Sequence, residues 1–490
     1  MVTNFTKEQL LRDFSLKTEY RETYQALLRN LKRREGFGIL FVLCSPAQRV
    51  EIIDSVQKDL PDKSVETLNL ENNINNLYNL IAQKNNQKKI DILFITGIEK
   101  TLVDYIKSSG IGGQGDYYRL DTVPPILSHL NLQRERFRDD FKTCFVFFVP
   151  LFALKYILRR SPDFYDWRSG VFEFASTQER VKEESLRYLR EGDYEQYLLW
   201  TPQQRREKIL EIEDLISERY QTLENKAALW FEVGRIYAAE QNWEEAIQSY
   251  DKAIELQPDN YNALNLRGIA LRELGRLEEA IVSFDQAIEI QSNDSVAWNN
   301  KGIVLHKLGR FDESIQSYKH ALALKADDHN SWFFLGYALL DLGQFAEAAK
   351  SFDTALTLKP DNHDSWFFLG YSLSNLGRLE EAIQSFDTAL ALKPDDYAVW
   401  YFRGITLSNL GQFEEAIQSY DKVLKFKSED ANTYYNKACC YALQENIDQA
   451  LSNLQQAIAL DQQYQVMAKT DSDFDDIRSD QRFQNLINSP

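Results

Sequence analysis

The sequence is poor in residues that staple or interrupt a fold. Its 490 residues include only four cysteines, two methionines, five histidines and eleven prolines. Cys44, Cys144 and the neighbours Cys439 and Cys440 show no C-x-x-C spacing and no metal-type Cys/His spacing. They read as buried thiols of a reducing compartment, so a cytoplasmic location is expected. His129, His306, His320, His329 and His363 build no H-E-x-x-H, and no G-x-S-x-G occurs. The expectation is a chain with no catalytic residue, no metal ligand set and no cofactor. Long apolar runs are missing too. The strongest, CFVFFVPLFAL (Cys144–Leu154), is broken by Pro150, flanked by Lys142 and Lys155, and too short to span a bilayer. MVTNFTKEQLLRDF has no apolar core of the secretory kind, so no signal peptide is expected.

Positive charge is scarce: 56 Lys and Arg face 74 Asp and Glu, for a net charge of −18. That argues against nucleic acid and anionic membrane as partners. The imbalance is uneven. The first 175 residues sum to roughly +3 and the rest to about −21. An acidic C-terminal two-thirds suits solubility or a basic partner. Otherwise the composition is that of an ordinary globular chain, 44% apolar and 27% charged, long enough for two or three domains.

What is present is a repeat. SWFFLGYALLDLGQFAEAAKSFDTALTLKPDN, from Ser331, and SWFFLGYSLSNLGRLEEAIQSFDTALALKPDD, from Ser365, lie 34 residues apart. The same offset aligns Gly234, Gly268, Gly302, Gly336, Gly370 and Gly404, with Ala438 as a seventh member. Trp230, Trp298, Trp332, Trp366 and Trp400 precede these glycines by four. Small residues from Ala246 to Ala450 and from Ala253 to Ala457 flank a large one, Tyr250, Phe284, Tyr318, Phe352, Phe386, Tyr420 or Leu454. Gly275, Gly309, Gly343, Gly377 and Gly411 mark a turn inside the unit. Each unit therefore reads as two helices, close where residues are small and wedged by an aromatic elsewhere. One unit cannot bury its apolar face alone, so the units stack. Acids such as Asp328 and Asp396 fall between units, where they cap helices.

The pattern resembles the tetratricopeptide repeat: Trp-x2-Leu-Gly-x2-Tyr, then Ala, aromatic, Ala and Pro. The resemblance implies an all-α superhelical solenoid of seven units within residues 227–464, closed by a capping helix at 465–490. The cap rests on Phe474, Ile477, Phe483 and Leu486 at helical spacing. In this family the first helix of each unit lines a concave groove, with its fifth and ninth positions pointing inward. Those positions here are Phe231, Asn265, Asn299, Phe333, Phe367, Tyr401 and Tyr435, with Tyr337 and Tyr371. The resemblance thus implies a groove for a peptide or helix of a protein partner, with aromatic anchors. Packing of these aromatics against the protein itself is the alternative. The lysine and asparagine with which some members grip a terminal carboxylate are lacking.

Ahead of the repeats, GILFVLC (Gly38–Cys44), SVETLNL (Ser64–Leu70), IDILFITG (Ile90–Gly97) and KTCFVFFVP (Lys142–Pro150) read as strands buried on both faces of a parallel sheet. Alternation with helical segments predicts an α/β three-layer domain over 1–175, led by a helix in 1–34. The arrangement resembles a STAND or AAA-like P-loop NTPase core of the kind fused to tetratricopeptide repeats in photosynthetic bacteria. The resemblance rests on Arg34-Glu35-Gly36-Phe37-Gly38, DILFITGIE, LNLQRERFRDD and SPDFYDWRSGVFEF. The core is degenerate. Where a P-loop has G-x-x-x-x-G-K-[ST], this chain reads Cys44-Ser45-Pro46-Ala47-Gln48-Arg49. Lysine and hydroxyl for phosphates and Mg²⁺ are gone, and Pro46 removes one amide. The third strand ends Ile95-Thr96-Gly97, with Glu99 the nearest acid. GIGGQG (Gly110–Gly115) follows a helical segment and reads as a loop.

Residues 176–226, rich in Glu, Arg, Gln and Leu, read as a helical connector and cap, a floppy linker being the alternative. The leading reading is a non-enzymatic scaffold whose repeats bind a partner protein. A nucleotide-responsive STAND-type switch with atypical NTP binding is the rival, and a subunit of an assembly catalysed by another chain is a third. Oligomeric state and partner identity are left open.

Overall fold

The computed structural model describes residues 7–488 except 71–73, 75, 87, 106–122, 175 and 219. Side chains are described from residue 18 onward, apart from those of 46, 47 and 104. The expected GIGGQG loop and the side chains of the first part of the expected leading helix lie outside the described residues. Contacts divide the chain into two compact units, Met1–Arg276 and Leu277–Pro490.

In the first unit, helix α1 (Lys7–Arg33) precedes strand β1 (Gly38–Leu43), helix α2 (Pro46–Asp59), β2 (Val65–Asn69), α3 (Leu77–Asn85) and β3 (Ile92–Thr96). Then come α4 (Pro125–Asp140), β4 (Cys144–Val149), α5 (Leu151–Arg160), α6 (Pro162–Asp166) and β5 (Gly170–Glu173). All strand pairs are parallel, in the order β2-β3-β4-β1-β5. Successive side chains of a strand point to opposite faces, and both faces here are apolar. Phe41, Leu93, Ile95, Phe145 and Phe147 join one core with residues of α3 to α6. Leu40, Val42, Phe94, Val146 and Phe148 join another with Leu27 and Leu31 of α1 and Ile52 and Val56 of α2. Helices thus cover both faces of the parallel sheet. The edge strand β5 was not predicted as a strand. It is four residues long and alternates half-buried with exposed, so it lacks the continuous apolar run by which its neighbours are recognised.

Three helices follow: α7 (Gln178–Glu191), α8 (Tyr194–Leu199) and α9 (Pro202–Ser217). They carry buried Val181, Tyr188, Tyr197, Ile209 and Ile212. Leu198 and Leu199 of α8 are exposed. The first repeat follows as α10 (Leu223–Ala239) and α11 (Trp243–Leu256), and α12 (Tyr261–Glu273) opens the second. Tyr197 donates to Glu232 at 2.9 Å, and Arg235 donates to the same carboxylate. Such ties fix α10 to the connector, which explains why the unit boundary falls inside the second repeat and not ahead of the first.

The second unit begins with α13 (Leu277–Ile290). It continues as hairpins α14 (Ser295–Lys307) with α15 (Phe311–Leu324), α16 (His329–Asp341) with α17 (Phe345–Leu358), and α18 (His363–Asn375) with α19 (Leu379–Leu392). Hairpins α20 (Tyr397–Asn409) with α21 (Phe413–Phe426) and α22 (Ala431–Leu443) with α23 (Ile447–Leu460) complete it. The glycine column works as its spacing implies: a Cβ on Gly370 would stand 2.7 Å from the ring of Phe386. The turn glycines take positive φ, +69 to +80°. The tryptophans have a role that periodicity did not reveal. Trp332, Trp366 and Trp400 donate their indole N–H to Ala326, Pro360 and Pro394 carbonyls at 2.8–2.9 Å, pinning the turn between units. Asp328 and Asp396 cap their helices as expected. After α24 (Gln463–Ala468) and a short 3₁₀ turn comes α25 (Gln481–Asn488), and Phe474, Ile477 and Phe483 are buried against the last hairpin.

Candidate functional site

The first helices of consecutive hairpins, α14, α16, α18, α20 and α22, touch one another along one face of the second unit. Their sequence places aromatics at the fifth, sixth and ninth positions, and these rings interlock. Phe333 and Tyr337, one turn apart on α16, lie parallel with centroids 6.4 Å apart. Phe368 of α18 wedges edge-on against both, at 6.0 and 5.1 Å. One unit later the arrangement recurs: Phe402 of α20 meets Phe367 at 5.6 Å and Tyr371 at 5.3 Å. Tyr401 ends the ladder and accepts a hydrogen bond from Asn436. All of these rings are half-buried.

The structure therefore brings Phe333, Tyr337, Phe367, Tyr371 and Tyr401 together as a ladder, with the sixth-position Phe368 and Phe402 as rungs rather than bystanders. It treats the other candidates differently. Tyr435 is only 4% exposed. It is sandwiched by Tyr464 and Phe474 and donates to Asp471 at 2.6 Å. The C-terminal cap covers it, which corrects its expected place in the groove. Asn299 donates to Ser331 Oγ at 2.9 Å, so it ties its helix to the next unit's cap. In the first unit, Asn265 is 8% exposed, and Phe231 is half-buried beside Tyr250 and under the Arg235 guanidinium. Residue spacing alone could not foretell Tyr435, because the cap's path depends on packing after the periodic region ends.

The loop after β1 takes a different form from a phosphate cradle. Ser45 caps α2, accepting from the Gln48 amide, while the Gln48 side chain accepts from the Ser45 amide at 2.9 Å. This reciprocal box spends the amides that a phosphate would need. Arg49 is committed as well, in an ion pair with Glu99 at 3.0 Å.

These helical hairpins define a class, and family comparison names it. Tetratricopeptide-repeat profiles match residues 231–296, 294–361, 333–397, 369–432 and 431–464. The C-terminal part of the chain is a tetratricopeptide-repeat array. Among solved structures, one similar chain is YrrB, described as a tetratricopeptide-repeat protein with an unusual peptide-binding site. It is 23% identical over 39% of this chain and 98% of its own, with a TM-score of 0.37. A tetratricopeptide-repeat protein of Parabacteroides merdae is 17% identical over 54% of this chain and 99% of its own (TM-score 0.38). MamA of Desulfovibrio magneticus is 21% identical over 36% and 99% (TM-score 0.34). No curated protein matches the chain. Among the described residues, no helix is long and apolar enough to cross a membrane.

Proposed function

We propose that this chain is a non-enzymatic, cytoplasmic interaction scaffold whose aromatic ladder, Phe333 to Tyr401, takes a peptide or helix of a partner protein. The observation that carries the reading is the half-burial of that ladder. Each ring is partly covered by its neighbours and is otherwise left open. Half-held aromatics are preorganised, so a ligand gains contact area at little further entropic cost. The N-terminal domain reads as a degenerate STAND or AAA-like core. Its parallel strand order, with β1 between β4 and β5, supports that lineage, and the capped loop after β1 supports the loss of nucleotide binding. The chain's four buried thiols, Cys44 and Cys144 in this domain and Cys439 and Cys440 in the array, suit a reducing compartment.

Peptides selected on the immobilised full chain from a random display library, then titrated in solution, test the ladder. Phe333 and Phe367 rest on the fully buried Phe352 and Phe386, so their truncation removes structure along with surface. Tyr337→Ala with Tyr371→Ala is the sharper pair. A selected peptide should bind the double variant at least about tenfold more weakly, a loss of about 1.4 kcal/mol. Equal binding by both proteins, or no peptide recovered, refutes the groove.

A further inference from the structure

At the carboxyl ends of the strands, where open parallel sheets place their ligands, the first unit holds a cavity of about 310 Å³. That volume lies at the lower end for small-molecule sites. Leu43, Val103, Pro150, Leu151 and Phe152 give it an apolar floor. Its walls are acidic. Glu99 follows β3 and Glu173 ends β5, Glu184 comes from α7, and Glu207, Glu211 and Asp214 from α9, with Glu218 at its C-terminus. Arg49 and Lys100 are the cations among its lining residues, and Arg49 is already paired with Glu99. Glu99 Oε2 and Glu184 Oε1 are shut off from solvent and have no hydrogen-bond partner. A buried carboxylate oxygen without a donor is costly to leave so.

We infer that this cavity binds a small aliphatic polyamine, its alkyl chain on the apolar floor and its ammonium groups on the wall carboxylates. Seven acids against two cations repel any phosphate. A single metal ion fits poorly as well. Among the described residues, the one group of three ligand atoms close enough to share an ion is Cys439, Asp471 and Asp473, far along the chain from this site. The cavity acids are spread, and an extended cation with separated charges matches spread acids. Burial already pushes Glu207, Glu218 and Asp214 above their ordinary range, which is the strain a bound cation relieves.

Calorimetric titration of the full chain with spermidine, with MgCl₂ and with ATP at pH 7.5 tests this. Spermidine should bind saturably at one site per chain, and more tightly than Mg²⁺ or ATP. Glu184→Gln with Glu218→Gln keeps side-chain volume and removes like-charge repulsion, so the variant should fold with no lower Tm. Its spermidine affinity should fall at least about tenfold. Glu289→Gln, on an exposed stretch of α13, controls for loose binding to an acidic surface and should leave the affinity unchanged. The inference is overturned if the double variant binds spermidine as the wild type does, if Glu289→Gln weakens it equally, if no saturable site exists, or if ATP or Mg²⁺ binds more tightly.

Discussion

The sheet layer and the repeat array solve the same burial problem at different ranges. In the layer, Phe147 of β4 stacks on Phe41 of β1 at 5.5 Å and meets Phe164 of α6 at 5.7 Å. The first contact joins segments more than a hundred residues apart. In the array, Phe386 of α19 lies over Gly370 of α18 and 6.2 Å from Phe367, partners within one unit. A core assembled from distant strands stands or falls together. A core renewed every hairpin can open piecemeal, because each unit contacts only its neighbours.

Equal truncations should expose that difference most strongly. Phe147 and Phe386 are both essentially inaccessible, and Phe→Ala at either should cost about 3–5 kcal/mol. Their reach should differ. By hydrogen exchange, Phe147→Ala should deprotect β1, β3 and β4 together. Phe386→Ala should loosen α18 to α20 and leave α14 and α15 protected. Array-wide exchange in the Phe386 variant would break the comparison.

Legibility follows the same division. Local, repeated packing writes itself into the sequence as a column, so the glycine, alanine and aromatic columns of the array could be read before any coordinates. The three central strands β1, β3 and β4 were legible through their unbroken apolar runs, whereas β2, read as buried on both faces, is a half-buried edge strand. What escaped depends on non-local geometry. Strand β5 pairs through its backbone with little side-chain signal. The sequence after β1 shows only that a phosphate loop is missing; the box of Ser45 and Gln48 that replaces it depends on backbone geometry. Tyr435 sits in register with Tyr401, yet the cap buries it. The acidic cavity draws its lining from four strand ends and two connector helices, and no stretch of sequence holds that pattern.

Charge separates the regions next. Burial is the main cause that lifts Asp214 from 3.8 to about 6, with Glu218 and Glu213 adding to it and Lys155 and the Leu151 amide opposing. On the array, Arg310 and Arg378 hold Glu313 and Glu381 below their ordinary range by hydrogen bonds. The signs are opposite. A raised group gives stability that is full below its unfolded value and lost as pH climbs through its folded one. For Asp214 that window runs from about pH 4 to 6 and spans about 3 kcal/mol. Depressed groups stabilise above their unfolded values and lose that effect as pH falls. Asp214→Asn should therefore raise the stability of the first unit at pH 7 and flatten its decline between pH 4 and 6.5. The second unit should keep its loss in acid. Urea titrations followed by exchange in each unit check this, and an unchanged pH profile in the variant contradicts it.

The smallest effect tests the array against itself. Five units turn at a glycine with positive φ, but the first and last use Gln241 (φ 58°) and Glu445 (φ 56°). A side chain in that conformation costs about 1–2 kcal/mol, because its Cβ crowds the following carbonyl. Glycine removes the crowding but adds freedom to the unfolded chain, which takes back part of the gain. Gln241→Gly and Glu445→Gly should each stabilise their unit by about 1 kcal/mol or less, read as a rise in urea midpoint at constant slope. The reverse change, Gly343→Ala, should lower the midpoint by a similar amount. If the terminal glycine variants are instead less stable, the end units hold their turns through contacts that the inner units lack, and the array is not a sum of like parts.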